Sequence, residues 1–132
     1  MPRTAYKILL LMKRKPGMSM EEFRDYYENR HVPLAMKHPS AATRYVRRYL
    51  QPQRHAETGS NEELPYDVIS ELWFDNEADW RSTVDYLTQN VMPDEIVADE
   101  RNLFDRTTMR IATVIEEETD MDAVRASARS PD

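Results

Sequence analysis

Apolar and polar positions along this chain fall into blocks with different periods. Tyr6 to Met12 (YKILLLM) is a short apolar run closed by a basic segment, Lys13 to Gly17. Its length predicts a buried strand, and Pro16 with Gly17 predicts the turn that follows. From Met20 to Leu34 (MEEFRDYYENRHVPL) the period lengthens, with Phe23, Tyr27 and His31 at steps of four. Residues four apart share a helix face, so these three predict one amphipathic helix with an aromatic stripe. Ser19 suits the N-cap, Glu22 completes a capping box, and Glu21 and Glu22 favour the positive helix end. Pro33 disfavours helical geometry at Val32, which places the end near Arg30 or His31. A further turn is expected over Leu34 to His38.

Thr43 to Leu50 (TRYVRRYL) alternates as a second strand, with Tyr45, Arg47 and Tyr49 on one face, and a helix as the alternative. Gln51 to Pro65 is polar, contains Gly59, and reads as a long loop, either a lid or rim or simply a mobile segment. Tyr66 to Phe74 (YDVISELWF) is the clearest strand: Val68, Ser70 and Leu72 face one way, Asp67, Ile69, Glu71 and Trp73 the other. Asn76 caps a helix from Glu77 to about Thr88, with Trp80 beside its apolar positions. Pro93 opens a short helix, Asp94 to about Arg101. Arg106 to Glu116 is a final strand, with Met109, Ile111, Thr113 and Ile115 on one side. Residues 117–132 form an acidic, then small-residue-rich tail expected to be flexible, with at most one weak turn after Asp120.

The main elements therefore run strand, helix, strand, strand, helix, strand. Repeating a split β-α-β unit in this way predicts an α+β, ferredoxin-like βαββαβ sandwich over residues 1–116, a four-stranded antiparallel sheet with the helices on one face. The other face would carry Val46, Ile69 and Trp73. Leaving these in water makes an unusual apolar patch, and a second copy of the sheet is the economical cover, so a homodimer is expected.

Composition narrows the functional classes. A length of 132 residues suits one domain with a real core. Eighteen basic and 24 acidic side chains give a net charge of −6, which argues against general nucleic-acid or anionic-membrane binding. Without cysteine there is no disulfide, thiolate nucleophile or cysteine-ligated metal, which fits the cytoplasm. The longest apolar run, Ile8 to Met12, is far too short to span a membrane, and no signal-peptide apolar region is present. Two glycines cannot build a phosphate-cradling loop. His31, His38 and His55 form no recognised ligand spacing, so neither metal nor cofactor is expected.

The stripe of the first helix then becomes the candidate chemistry. An imidazole titrates near working pH and a phenol donates or accepts a proton, so His31 and Tyr27 suit the wall of a pocket. His31 is the candidate general acid/base, with helix capping as its alternative role. Tyr27, one turn earlier, could orient it or bind a substrate oxygen; Phe23 is pocket wall or packing. Tyr45, Arg47 and Tyr49 would suit an oxygen-rich aromatic ligand, or else form a cross-strand ladder. Ser70 is a small hydroxyl in a core-lining row. Trp80 and Phe104 are wall candidates, with core packing as the alternative.

These residues also carry a resemblance. KILLLMKRKPGMSMEEFRDYYENRHVPLA, with Phe23, Tyr26, Tyr27, His31, Pro33 and Leu34, resembles the opening of EthD-domain proteins, and ELWF and NLFDRTT are similar to the family's second half. The resemblance spans about residues 5–116. It implies a dimeric α+β barrel, the superfamily of muconolactone isomerases, polyketide cyclases and small cofactor-free monooxygenases. Fungal EthD-type proteins often appear as dehydratases or decarboxylases that tailor aromatic polyketides. The leading expectation is a cofactor-independent lyase on an oxygenated aromatic or polyketide-like small molecule. His31, Tyr27 and Tyr45 would be catalytic, and Phe23, Arg47, Tyr49, Ser70 and Trp80 would bind substrate. A ring isomerase or cyclase, a cofactor-free monooxygenase and a non-catalytic binding protein are the alternatives.

Overall fold

The computed structural model describes residues 3–89 and 91–129. Four strands, β1 (Arg3–Met12), β2 (Arg44–Tyr49), β3 (Val68–Trp73) and β4 (Arg110–Glu116), form one sheet in the order β2-β3-β1-β4. All three ladders are antiparallel. Helices α1 (Met20–Tyr26), α2 (Val32–Ala35), α3 (Glu77–Thr88) and α4 (Asp94–Arg101) complete the α+β arrangement that the period changes predict.

The first helix starts as its sequence dictates. Ser19 accepts from the Glu22 N–H at 3.1 Å while the Glu22 carboxylate accepts from the Ser19 N–H at 3.1 Å, satisfying two donors that the helix itself cannot. It does not stop before Pro33. Between α1 and α2 the backbone widens into a π-turn, Tyr27–His31, in which the Val32 N–H bonds the Tyr27 carbonyl. A proline ring collides with the carbonyl four residues back and supplies no N–H. The wider turn ends where Pro33 enters, so helical backbone continues to Ala35.

Two apolar clusters hold the helices on the sheet. Met12, Phe23, Tyr27, Val68, Leu103 and Phe104 form one; Ile8, Phe74 and Trp80 form the other, and Leu10 packs against both. Ile8 and Phe23 are fully buried, each worth roughly 1.5–3 kcal/mol as apolar surface removed from water. Strand alternation turns Lys7, Leu9 and Leu11, Val46, and Ile69, Glu71 and Trp73 to the opposite face. There the Lys7 ammonium and the Arg44 guanidinium lie 4.0 and 4.2 Å from the Trp73 ring centre.

Three expectations about the elements change. β4 starts at Arg110 rather than Arg106, because Asp105 draws the chain into a turn: its Oδ1 accepts from the Thr107 N–H at 3.1 Å. Met109 and Ile111 reach the core clusters, but Ile115 is 73% exposed beyond a bulge in the β1–β4 ladder. Within the tail, Met121–Arg129 form helix α5, none of whose residues is buried; the Ala123 N–H bonds Asp120 Oδ1 at 3.0 Å. No helix among the described residues is long and apolar enough to cross a membrane.

Replacing the helix cap tests this reading of the α1 start. Ser19→Ala should lower unfolding free energy by about 1 kcal/mol in urea titration, with the slope unchanged. A neutral effect would mean that tertiary packing alone fixes the helix start.

Candidate active site

A cavity of about 540 Å³ lies between the sheet and the helices. Its floor is Leu10, Met12, Tyr45 and Leu72, its inner wall Tyr27, His31 and Glu100, and its mouth includes Met36, His38 and Tyr86. The surface is mostly apolar with a few polar groups set in it, the usual character of a small-molecule site.

The stripe of the first helix is buried as its spacing predicts: Phe23, Tyr27 and His31 all lie at or below 5% exposure. Ring centres of Tyr27 and His31 are 5.5 Å apart, edge to face, and Phe104 packs on both. His31 Nδ1 lies 2.8 Å from Asp99 Oδ2, while the Tyr26 hydroxyl donates to Asp99 Oδ1 at 2.6 Å. With the carboxylate accepting from Nδ1–H, the lone pair of the neutral ring sits on Nε2, which has no hydrogen-bond partner among the described residues. The imidazole is thus oriented by a partly buried carboxylate and presented to a cavity.

The hydroxyls of Ser70, Tyr27 and Tyr45 form a chain, with Tyr27 in the middle at 2.7 Å from each neighbour. Two hydrogen bonds use two of the three hydrogens. When Ser70 donates to Tyr27 and Tyr27 to Tyr45, the remaining O–H is that of Tyr45, which lines the cavity. Burial pushes the Tyr27 phenol up to about 12 and raises Tyr45 well above its usual value. At neutral pH only on the order of one Tyr27 in 10⁵ is ionised, so it serves as a neutral donor and not as a base.

The remaining sequence candidates divide. Ser70 reaches the site only through Tyr27. Arg47 does not line the cavity: its Nε and Nη2 donate to the two Glu28 oxygens at 2.9 and 2.6 Å, and its Nη1 to the Tyr45 carbonyl. The Tyr49 hydroxyl donates to the same Glu28 carboxylate at 2.6 Å. Arg47 and Tyr49 hold Glu28 below its ordinary carboxylate value, and the pair braces the first helix against β2 instead of meeting a ligand. Phe23 lies in the aromatic core beneath Tyr27 and Tyr49. Trp80 packs on Tyr6 and donates its indole N–H to the Lys7 carbonyl at 3.0 Å, away from the cavity. None of the loop residues 51–65 borders the cavity; Glu63 instead pairs with Lys13 and Arg14.

Two residues of α4 complete the site without having stood out in the sequence. Asp99 orients His31, and Glu100, buried to 4% exposure, lines the cavity. Ile96 shares that lining, so the stripe Ile96–Glu100 at a spacing of four was the available signal. Glu100 Oε1 has no hydrogen-bond partner; the nearest cation is Arg106, with Nε at 3.6 Å. Burial raises the Glu100 pKa despite the opposing charges of Arg106 and His31.

A four-stranded antiparallel α+β domain with an oriented imidazole over an apolar hollow is the class that the fold and site define. Residues 15–107 match the EthD domain, and the chain belongs to that family. Among curated proteins none matches it. Similar solved structures include an EthD-like protein from Ralstonia eutropha JMP134, 18% identical with a TM-score of 0.48, over 83% of this chain and 86% of that one. An ethyl tert-butyl ether D (EthD) family protein from Bacillus halodurans C-125 is 18% identical with a TM-score of 0.45, over 86% and 97%. A protein from Arabidopsis thaliana is 14% identical with a TM-score of 0.46, over 86% and 95%.

The raised Glu100 pKa fixes a pH dependence. The folded state binds this proton more tightly than the unfolded chain, whose carboxyl titrates near about 4.3. The stability it contributes is complete below that pH and is lost as pH rises through the folded value. Glu100→Gln, which stays neutral, should therefore gain melting temperature over the native protein progressively from acid to neutral pH. A difference that is flat with pH would show that Glu100 titrates normally.

Proposed function

We propose that this protein is a cofactor-independent lyase, a dehydratase or decarboxylase acting on an oxygenated aromatic or polyketide-like small molecule, as a cytoplasmic homodimer. The observation that carries the reading is the His31 imidazole, fixed through Nδ1 by Asp99 and set in the wall of a mainly apolar hollow of about 540 Å³. His31 Nε2 takes a proton from an acidic carbon or phenol. Asp99 keeps the ring in the required tautomer and stabilises the imidazolium that forms. Tyr45, at the cavity end of the hydroxyl chain, donates to a carbonyl oxygen of the substrate and supports the enolate as it develops. Apolar walls at Leu10, Met12, Leu72 and Ile96 suit a ring system, and they exclude the water that would compete for these polar groups.

General acid–base chemistry contributes on the order of 10²- to 10⁴-fold, and holding the substrate in one pose supplies much of the rest. His31→Ala should accordingly lose at least about 100-fold in turnover while still binding an aromatic ligand by calorimetry. Full turnover in that variant would end the proposal, and ligand binding with no turnover in the native protein would favour a binding role.

The homodimer rests on the outer sheet face. Leu9, Leu11, Val46, Ile69 and Trp73 share it and are only half-buried, an apolar surface around Glu71, whose carboxylate takes Arg48 and the Trp73 indole N–H, that a second sheet would cover. Sedimentation should give a dimer, and Leu9→Asp, which sets a second carboxylate opposite Glu71 on that face, should give a folded monomer. A native protein that stays monomeric at high concentration would rule the pairing out.

A further inference from the structure

We propose that Glu100 is a second catalytic residue, a general acid that protonates the leaving oxygen while His31 takes the proton from carbon. The inference rests on the lyase reading and specifies it as elimination of water from a β-hydroxy carbonyl compound.

Three features of the site carry it. Glu100 lines the same cavity as His31 and is buried to 4% exposure, yet its Oε1 has no hydrogen-bond partner. A buried carboxyl oxygen that meets its counter-ion Arg106 Nε only at 3.6 Å, beyond hydrogen-bond length, is costly, and a ligand or a reaction can account for it. Second, the residues before and after it are already engaged: Asp99 by His31 and Tyr26, Arg101 by the exposed side of the helix. Successive helix residues point about 100° apart, so α4 turns Asp99 to the imidazole and Glu100 to the hollow. Third, the charged and titratable groups around Glu100 are Arg106, His31, Asp99 and Tyr27. Burial outweighs the cations among them and raises the carboxyl pKa, which favours the protonated form that the step uses.

The step balances. His31 Nε2 takes the proton from the carbon next to the carbonyl, and the electrons of that C–H bond form the new C=C bond. The C–O bond at the β-carbon breaks with its pair on oxygen, which takes the Glu100 proton and leaves as water. A neutral imidazole and a neutral carboxyl thereby become an imidazolium and a carboxylate. Each new charge has a partner in place: Asp99 at 2.8 Å for the imidazolium, and the Arg106 guanidinium at 3.6 Å for the carboxylate. Proton return from His31 to Glu100 through solvent resets the site.

The test uses the tetralone that bears a hydroxyl β to its carbonyl, because its loss of water gives a fluorescent naphthol. The native protein, Glu100→Gln and His31→Ala are compared across pH, together with an infrared difference spectrum of the native protein against Glu100→Gln. Glu100→Gln should lose about 100-fold or more in kcat with little change in KM, and the alkaline limb of the pH profile should disappear. The difference spectrum at neutral pH should contain the carbonyl stretch of a neutral carboxyl. An ionised carboxylate there overturns the proposal whatever the substrate. Glu100→Gln with native kcat and pH profile, beside an inactive His31→Ala, overturns it while the lyase reading stands. A native protein inert towards the probe removes dehydration, and with it this role for Glu100.

Discussion

The hydrogen bond between His31 and Asp99 ties the two helical parts of the molecule into one site. It closes a contact across 68 residues of chain, bringing α4 against the end of the first helix. The same carboxylate takes the Tyr26 hydroxyl on its other oxygen, so both acceptor edges are filled and the group cannot swing.

The π-turn places that ring. Tyr27 and His31 begin and end it, and both are buried against Phe104. A helix kept strictly α-helical would have met the Pro33 ring with the Asn29 carbonyl. Widening the backbone removes that collision and lets α2 continue as far as Ala35, which forms part of the cavity wall. Proline here therefore shapes the site by changing the helix type, not by ending the helix.

What could be read from the sequence was what is local. Phe23, Tyr27 and His31 lie within nine residues of one helix, and their spacing alone predicts a shared buried face. The capping box at Ser19 and the strands follow from neighbouring residues in the same way. Arg47 was misplaced for a reason of the same kind: alternation along β2 gives the side on which it lies, but not that Glu28 stands opposite and takes its guanidinium on both carboxylate oxygens. Asp99 and Glu100 were hidden because DEIVADER looks like an ordinary solvated acidic helix. Only the packing of α4 against the π-turn separates the two acids from the exposed ones around them.

The cavity has a stiff end and a soft one, and this division assigns different tasks to different residues. At the deep end, His31, Tyr27 and Glu100 stand on regular elements, backed by Phe23, Phe104 and Leu103, where close packing leaves side chains little freedom. The mouth is built from turns and half-exposed side chains, including Met36 at 53% and Tyr86 at 42% exposure. Met36 has an unbranched, adaptable side chain, and Tyr86 offers an apolar face with a polar tip. Under the proposed lyase reading, a substitution at the mouth should alter which ring systems enter without disturbing proton transfer, whereas one in the deep end should act on the chemistry itself. In a fold that supports many reactions, that reading gives the deep residues the choice of reaction and the rim the choice of molecule.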